Sequence, residues 1–254
     1  MWEFSLNMTG KNAMIATSIH KSLSLTLNTM NGFATLSDDG DFISILIAVD
    51  NQYEQRIKDI LTSLIIDVIC TKFKSDFLNE YLFLPVQDKS GAFAFKKALL
   101  NFDRQTDKYL IKKALCLSNT LFLESFFEFR LTKLKDKWTE LVSLSNDNRD
   151  FFVCRESFID LLKFLVDNLD ICEDEISVIK EGNGYRIVDC NNKFYTNRLI
   201  SHEKVVSSVI DLAPQKINLY FDQSSNETNL LERIFEERII INKEKTNIKT
   251  IKFN

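Results

Sequence analysis

Two prolines and six glycines in 254 residues leave the chain little punctuation. Tight turns draw on both residue types, so an all-β sandwich or barrel built from many hairpins is excluded. Long helices with a few strands remain. Histidine is equally scarce. His20 lies in an amphipathic helical stretch, and His202 falls in the first turn of a helix. Neither has an identifiable Ser or Cys partner, which removes the usual pattern for nucleophilic catalysis. The five cysteines, at 70, 116, 154, 172 and 190, are at least 18 residues apart. That spacing offers no zinc knuckle and no dithiol pair, alone or with the histidines. Their odd number, with no signal peptide ahead of them, implies a reducing, cytoplasmic setting. Cys70 and Cys116 sit in apolar helical runs and read as core residues.

Long apolar runs are missing too. The nearest, "FISILIAV", has eight residues against the ~20 of a membrane span, so no span is expected. Charge of one sign is not concentrated anywhere. The net charge is −4, and residues 1–100 and 101–254 carry −2 each. Phosphate neutralisation needs clustered Lys or Arg, so nucleic-acid binding is not expected. Glycine-rich phosphate loops are absent: "EGNG" joins two strands and opens no helix. The carboxylate pairs Asp38/Asp39 and Asp147/Asp150 fall in turns and read as solvated. On this reading there is no catalytic residue, no cofactor-binding residue and no metal ligand to name, and no cofactor is implied.

What is present is apolar bulk and helical periodicity. Hydrophobic residues make up 45% of the chain, with 21 phenylalanines, enough for a sizeable core. "WEFSLN" alternates as a strand does. A helix is expected from Lys11 to Met30, with Ile15, Ile19, Leu23 and Leu27 on one stripe and a stop at Asn31-Gly32, the glycine taking the left-handed conformation. "FATL" and "DFISILIAV" form a hairpin across Asp39-Gly40. Residues 51–82 read helical from an Asp50 N-cap, with a break near "FKSDF" because one straight helix of that length would extend ~48 Å. Two long helical segments follow, 93–119 and 120–145, and then a third, "ESFIDLLKFLVDNL", apolar on most sides. The period then changes to two around Asn183-Gly184, which predicts a second hairpin. Ser201 caps the next helix, "KINLYF" is a strand, "NETNLLERIFEER" a helix and "IIIN" a last strand.

The expected class is therefore α+β. A small N-terminal β-α-β-β-α unit (1–84) leads through a helical segment (85–170) to a C-terminal β-β-α-β-α-β unit (171–243). Pro85 and Gly91 mark the first joint, and the tail 244–254, within the mildly basic "NKEKTNIKTIKFN", reads as a frayed end. Pro214 ends the helix before it, since the residue preceding a proline is pushed out of helical angles. Phe127, Leu131, Leu134, Trp138 and Leu141 are spaced 4, 3, 4, 3. Such a two-heptad seam either packs inside the domain or mediates self-association. Phe126, Phe127 and Phe129 leave the same choice between core and exposed patch.

Four stretches resemble a known family. "FFEFRLTKL" offers Phe126, Phe129, Arg130 and Leu131. "ESFIDLLKFLV" offers Phe158, Ile159, Leu161, Leu162, Lys163, Phe164 and Val166. "VIDLAPQKINLYF", with Glu203 ahead of it, offers Ala213, Pro214, Lys216 and Ile217, and "LLERIFEERI" offers Ile234, Phe235, Glu236 and Arg238. In order and character these resemble the YtxC-like sporulation proteins of endospore-forming bacteria, over about residues 120 to 240. Lys133, Lys204 and Tyr220 depart from the pattern, and the tail has no cysteine. The resemblance implies a role in sporulation and carries no reaction with it. Two readings follow. One is a non-enzymatic cytoplasmic protein that acts through a protein partner or self-association. The other is an enzyme or small-ligand binder whose site is assembled from scattered polar residues, Arg130, His202 and Glu203 first among them.

Overall fold

A computed structural model describes residues 1–84, 89–147, 154–191, 193–220 and 226–242. Pro85, Asp150 and the tail 244–254 lie outside them. The chain divides into two units, Met1–Glu80 with Gln105–Ser143, and Tyr81–Arg104 with Leu144–Asn254. It is α+β, with one four-stranded sheet in each unit.

In the first unit β1 (Trp2–Thr9), β2 (Phe33–Asp38), β3 (Phe42–Val49) and β4 (Thr120–Phe122) lie in the order β2-β3-β1-β4. β3 runs antiparallel to both β1 and β2, and β4 runs parallel to β1. Helix α1 (Ala13–Leu27) thus links two parallel strands with β3 inserted between them, a split β-α-β arrangement. Alternation sends Phe4, Leu6 and Met8 of β1 and Ile43, Ile45 and Ile47 of β3 to one face. There they meet the stripe Ala16, Ile19, Leu23 and Leu27 of α1 and Ile57, Leu61 and Ile65 of α2 (Glu54–Val68).

Two turns differ in detail from expectation. Asn31, not Gly32, takes the left-handed conformation (φ 50°, ψ 31°) that ends the 3-10 turn Asn28–Met30 following α1. Gly32 is needed for space, because a Cβ there would lie 2.9 Å from the Ala48 carbonyl oxygen. At the β2–β3 hairpin Gly40 has φ 93°, and the Asp38 and Asp39 carboxylates accept the Gly40 and Phe42 N–H groups at 2.8 and 2.7 Å. Those two carboxylates are turn builders. Asp50 makes no side-chain cap; its carbonyl accepts the Tyr53 N–H at 2.9 Å.

The long helix after Asp50 does not break. It passes through a π turn at Ile69–Phe73 into α3 (Lys74–Tyr81). The extra residue in that turn rotates the following face, and Lys74 is thereby carried into the interior, where it is 1% exposed. The expected helix over 120–145 is also divided. Thr120–Phe122 become β4, α6 covers Leu123–Arg130, and after an interruption at Leu131 α7 runs over Thr132–Asp147. The seam therefore spans two helices, and Leu131, Leu134 and Trp138 are buried in the core of the first unit. Core packing, not self-association, occupies it. Before β4, α5 covers Arg104–Ala114.

The second unit holds α4 (Lys89–Asn101), α8 (Arg155–Asp167), β5 (Glu173–Glu181), β6 (Gly184–Asp189), α9 (His202–Leu212), β7 (Pro214–Tyr220), α10 (Asn226–Phe235) and β8 (Ile239–Ile241). The sheet order is β6-β5-β7-β8, with β5, β7 and β8 parallel and β6 antiparallel to β5. This is the expected β-β-α-β-α-β order. The hairpin turns on Gly182-Asn183, one residue earlier than expected: Glu181 faces Gly184 and Gly182 has φ 54°. Helix α9 ends before Pro214, with the preceding residue out of right-handed helical angles as expected. Ala213 is left-handed (φ 40°, ψ 58°), its N–H reaches back to the Val209 and Ile210 carbonyls, and Pro214 opens β7. Ser201 occupies the N-cap position of α9 without a side-chain cap bond. Phe164 of α8 is 58% exposed, so that helix is less enclosed than its composition suggests, and Cys116 is exposed where a core position was expected.

Candidate interaction surface

The first sheet covers only one of its faces. On the other, the register lines up Phe33 and Thr35 of β2, Phe42, Ser44, Leu46 and Ala48 of β3, Glu3, Ser5, Asn7 and Thr9 of β1, and Thr120 and Phe122 of β4. Phe33, Phe42, Leu46 and Phe122 are 58%, 43%, 42% and 46% exposed. Four large apolar side chains on one open face is unlike the scattered exposure that needs no explanation. Phe42 and Phe122 meet edge to face at 6.2 Å. Between the apolar residues lies a closed polar knot. The Asn7 Oδ1 accepts the Ser5 and Ser44 hydroxyls at 3.0 and 2.6 Å, and its Nδ2 donates to the Thr120 Oγ1 at 2.9 Å. At the margin the Glu124 Oε1 accepts the Thr9 N–H and hydroxyl, both at 2.9 Å, and the Asn12 amide at 2.6 Å. These polar groups have satisfied one another, so the face offers apolar contact without unpaired donors or acceptors in its centre.

The edges of the sheet are less open. His20 of α1 places Nε2 3.1 Å from the Ala34 carbonyl oxygen. A carbonyl can only accept, so this nitrogen carries a proton and donates. In an antiparallel pair the two polar backbone groups of one residue point the same way, and His20 thus occupies part of the outward ladder of β2. On the other side β4 has only three residues.

A second cluster is buried in the same unit. Asp107, wholly buried, accepts from the Lys74 Nζ at 2.7 Å, the Lys137 Nζ at 2.7 Å and the Trp138 Nε1 at 3.2 Å. Burial pushes the Lys74 ammonium below its ordinary range, and the Asp107 charge and hydrogen bond oppose that shift. The Lys74 Nζ also lies 5.8 Å from the centre of the Trp138 ring. Satisfied on several sides, with Asp107 and Lys74 closed to solvent, this group has the character of a structural tie. A shallow groove of about 600 Å³ between α2 and α5 carries Lys58, Asp59, Asp67, Lys108 and Lys112 over Ile66 and Leu115. Charges of both signs line it without converging on a point.

The residues singled out from the sequence do not form one centre within either unit. Arg130 is an exposed residue at the end of α6 in the first unit, while His202 and Glu203 open α9 in the second, so neither unit by itself assembles the three. His202 packs edge to face on Tyr185 at 5.1 Å. Several residues of the four resembling stretches do meet. Lys163 pairs with Glu236 at 2.5 Å, which raises the Lys163 pKa, and Arg238 reaches Asp167 at 3.5 Å and the Pro214 carbonyl at 3.4 Å. Glu236 has φ 35°. They gather where β7 and β8 begin, whereas ligands of parallel sheets bind beyond the carboxyl ends of the strands. That position suits a joint between α8 and α10. Among the described residues no three His, Cys, Asp or Glu side chains group as metal ligands.

Of the exposed cysteines, Cys154 occupies the N-cap position of α8 and makes no side-chain cap hydrogen bond. The Ser157 N–H and hydroxyl, then the Glu156 N–H, hold its thiol below the ordinary range. In iodoacetamide labelling near neutral pH, Cys154 is expected to react before Cys116, Cys172 and Cys190, and buried Cys70 last. Peptide mass mapping over time checks the order, and equal rates for Cys154 and Cys190 would contradict it.

The family model described as the YtxC-like family matches residues 55–240, most of the chain, and the chain belongs to that family. The strands β1, β2 and β3 and helix α1 precede the matched residues. No curated protein and no solved structure matches. No described helix is long and apolar enough to cross a membrane.

Proposed function

We propose that this member of the YtxC-like family serves sporulation in an endospore-forming bacterium, as a cytoplasmic protein that works by holding another protein. The observation that carries the reading is the open face of the first sheet, where Phe33, Phe42, Leu46 and Phe122 remain in water around a hydrogen-bonded centre. A large exposed apolar patch of this kind marks an interaction site on soluble proteins. Interfaces of this type place aromatic anchors centrally and keep polar groups satisfied. Sporulation comes from the family resemblance, and contact as the mode of action comes from the surface.

Site-specific photo-crosslinking in sporulating cells tests it. A photoreactive residue at position 46 should give one defined protein adduct, and the same group at exposed Lys21 on α1 should give none. If position 46 yields no adduct beyond that control, the reading fails.

A further inference from the structure

We infer that the occupant of this sheet face is a short amphipathic helix with Lys or Arg at both ends, an inference that rests on the protein-contact reading above. Three observations select it. The first is charge. The four strands contain no Lys or Arg, whereas carboxylates stand at both ends of the apolar strip. Exposed Glu3 shares a row with Ala48 and Phe33, and exposed Asp39 and Asp41 flank Phe42; Lys11 follows Gly10, whose N–H donates to the Asp41 carbonyl in the turn after β1. A basic partner complements this rim, while an acidic segment or an anionic lipid surface would be repelled.

The second observation is hydrogen bonding. Strand addition needs a free ladder, yet His20 occupies the Ala34 carbonyl on one edge and β4 is three residues long on the other. The centre of the face is already bonded through Asn7. A partner whose own backbone is internally satisfied fits there, and a helix has that property. The third is length. From Ala48 to Phe42 along β3 the strip extends about 20 Å at the strand rise. A helix of about 13 residues covers the same distance. It would lay its apolar stripe on Leu46, Phe42 and Phe122 and its end charges on Glu3 and Asp39. Helices α1 and α2 already pack the other face, so the bound state is a three-layer α-β-α sandwich, an ordinary architecture.

The probe is a synthetic 14-residue helix with Leu and Phe on one face and Lys at both ends, compared with a twin carrying Glu at the ends. Amide signals of the full chain are followed during titration. The Lys peptide should shift residues of β1, β3 and β4, and its affinity should fall at least about tenfold for the Glu twin and for the Leu46→Lys/Phe122→Lys chain. Both positions are exposed, so an unchanged melting curve confirms that the variant folds. Equal affinity of the two peptides, or shifts confined to other elements, overturns the inference. A cellular adduct at position 46 with no response to either peptide overturns the helix and leaves the contact reading standing. Peptide binding as described with no cellular adduct supports the helix chemistry and overturns the cellular reading.

Discussion

Asp107→Ala is expected to cost the first unit about 3–5 kcal/mol of stability. Exposed ion pairs are worth about 0–1 kcal/mol, and the size of this effect rests on burial. Asp107 is wholly enclosed and Lys74 is 1% exposed, so removing the carboxylate strands an ammonium group in the core. Lys137, with 24% of its side chain in water, can turn outward, and Lys137→Ala should cost no more than about 1 kcal/mol. Replacing both members, as Lys74→Met/Asp107→Leu, should restore much of the loss because no charge is left behind.

The variant also has a pH signature. The folded pKa of Lys74 is already lowered by burial, and loss of Asp107 removes the charge and hydrogen bond that most oppose the shift. Below that folded pKa both states hold the proton and the full penalty applies. Between it and the ordinary lysine value of 10.5 only the unfolded chain holds the proton, so stability rises with pH. The deficit of Asp107→Ala should therefore shrink on the alkaline side. Both tryptophans, Trp2 and Trp138, belong to the first unit, so fluorescence during urea unfolding reports this unit. A deficit under about 1 kcal/mol would mean that the tie carries little weight.

Trp138→Ala should be comparably costly, at about 3–5 kcal/mol. The ring is fully buried between Phe77 at 5.7 Å and Phe127 at 5.8 Å, and its N–H supplies one of the donors to Asp107. Truncation leaves a cavity and a weakened carboxylate together. Trp138→Phe separates them, since it keeps most of the packing and should cost about 1 kcal/mol for the lost hydrogen bond. Asp107→Ala and Trp138→Ala share that contact and should combine less than additively. Circular dichroism follows the unfolding when the fluorophore is gone. A small cost for Trp138→Ala would contradict its burial and return the seam to the surface.

These two residues show how far the sequence could be read. Strand β1 alternates cleanly enough to be seen, β3 stands out as an apolar β-rich run, the second hairpin is legible to within one residue of its turn, and Pro214 marks the end of α9. Thr120–Phe122 could not be seen as a strand. Three residues within an apolar run carry no period, and only pairing with β1 makes them extended. Lys74 and Asp107 stood in plain view as ordinary charged helix residues. They are 33 positions apart, and the π turn that rotates Lys74 inward has no composition of its own. The seam around Trp138 was visible as a pattern, but which surface it faced was not. The open face was hidden for a related reason. Phe42 and Leu46 alternate with Ile43, Ile45 and Ile47 in one apolar strand, so the two faces look alike until the helices cover one of them. The absence of Lys and Arg from all four strands was the available signal, and it gains meaning only once the register places those strands side by side.

The central claim is that the open face of the first sheet is where this protein does its work in sporulation. The most direct test replaces the chromosomal copy with Leu46→Lys/Phe122→Lys and counts heat-resistant spores against wild-type and deletion strains. Cellular protein level and the melting curve of the purified variant serve as controls. The account predicts a spore count like that of the deletion, below wild type, from a chain as abundant and as stable as wild type. A wild-type spore count from that variant, in a host where the deletion lowers it, would contradict the account.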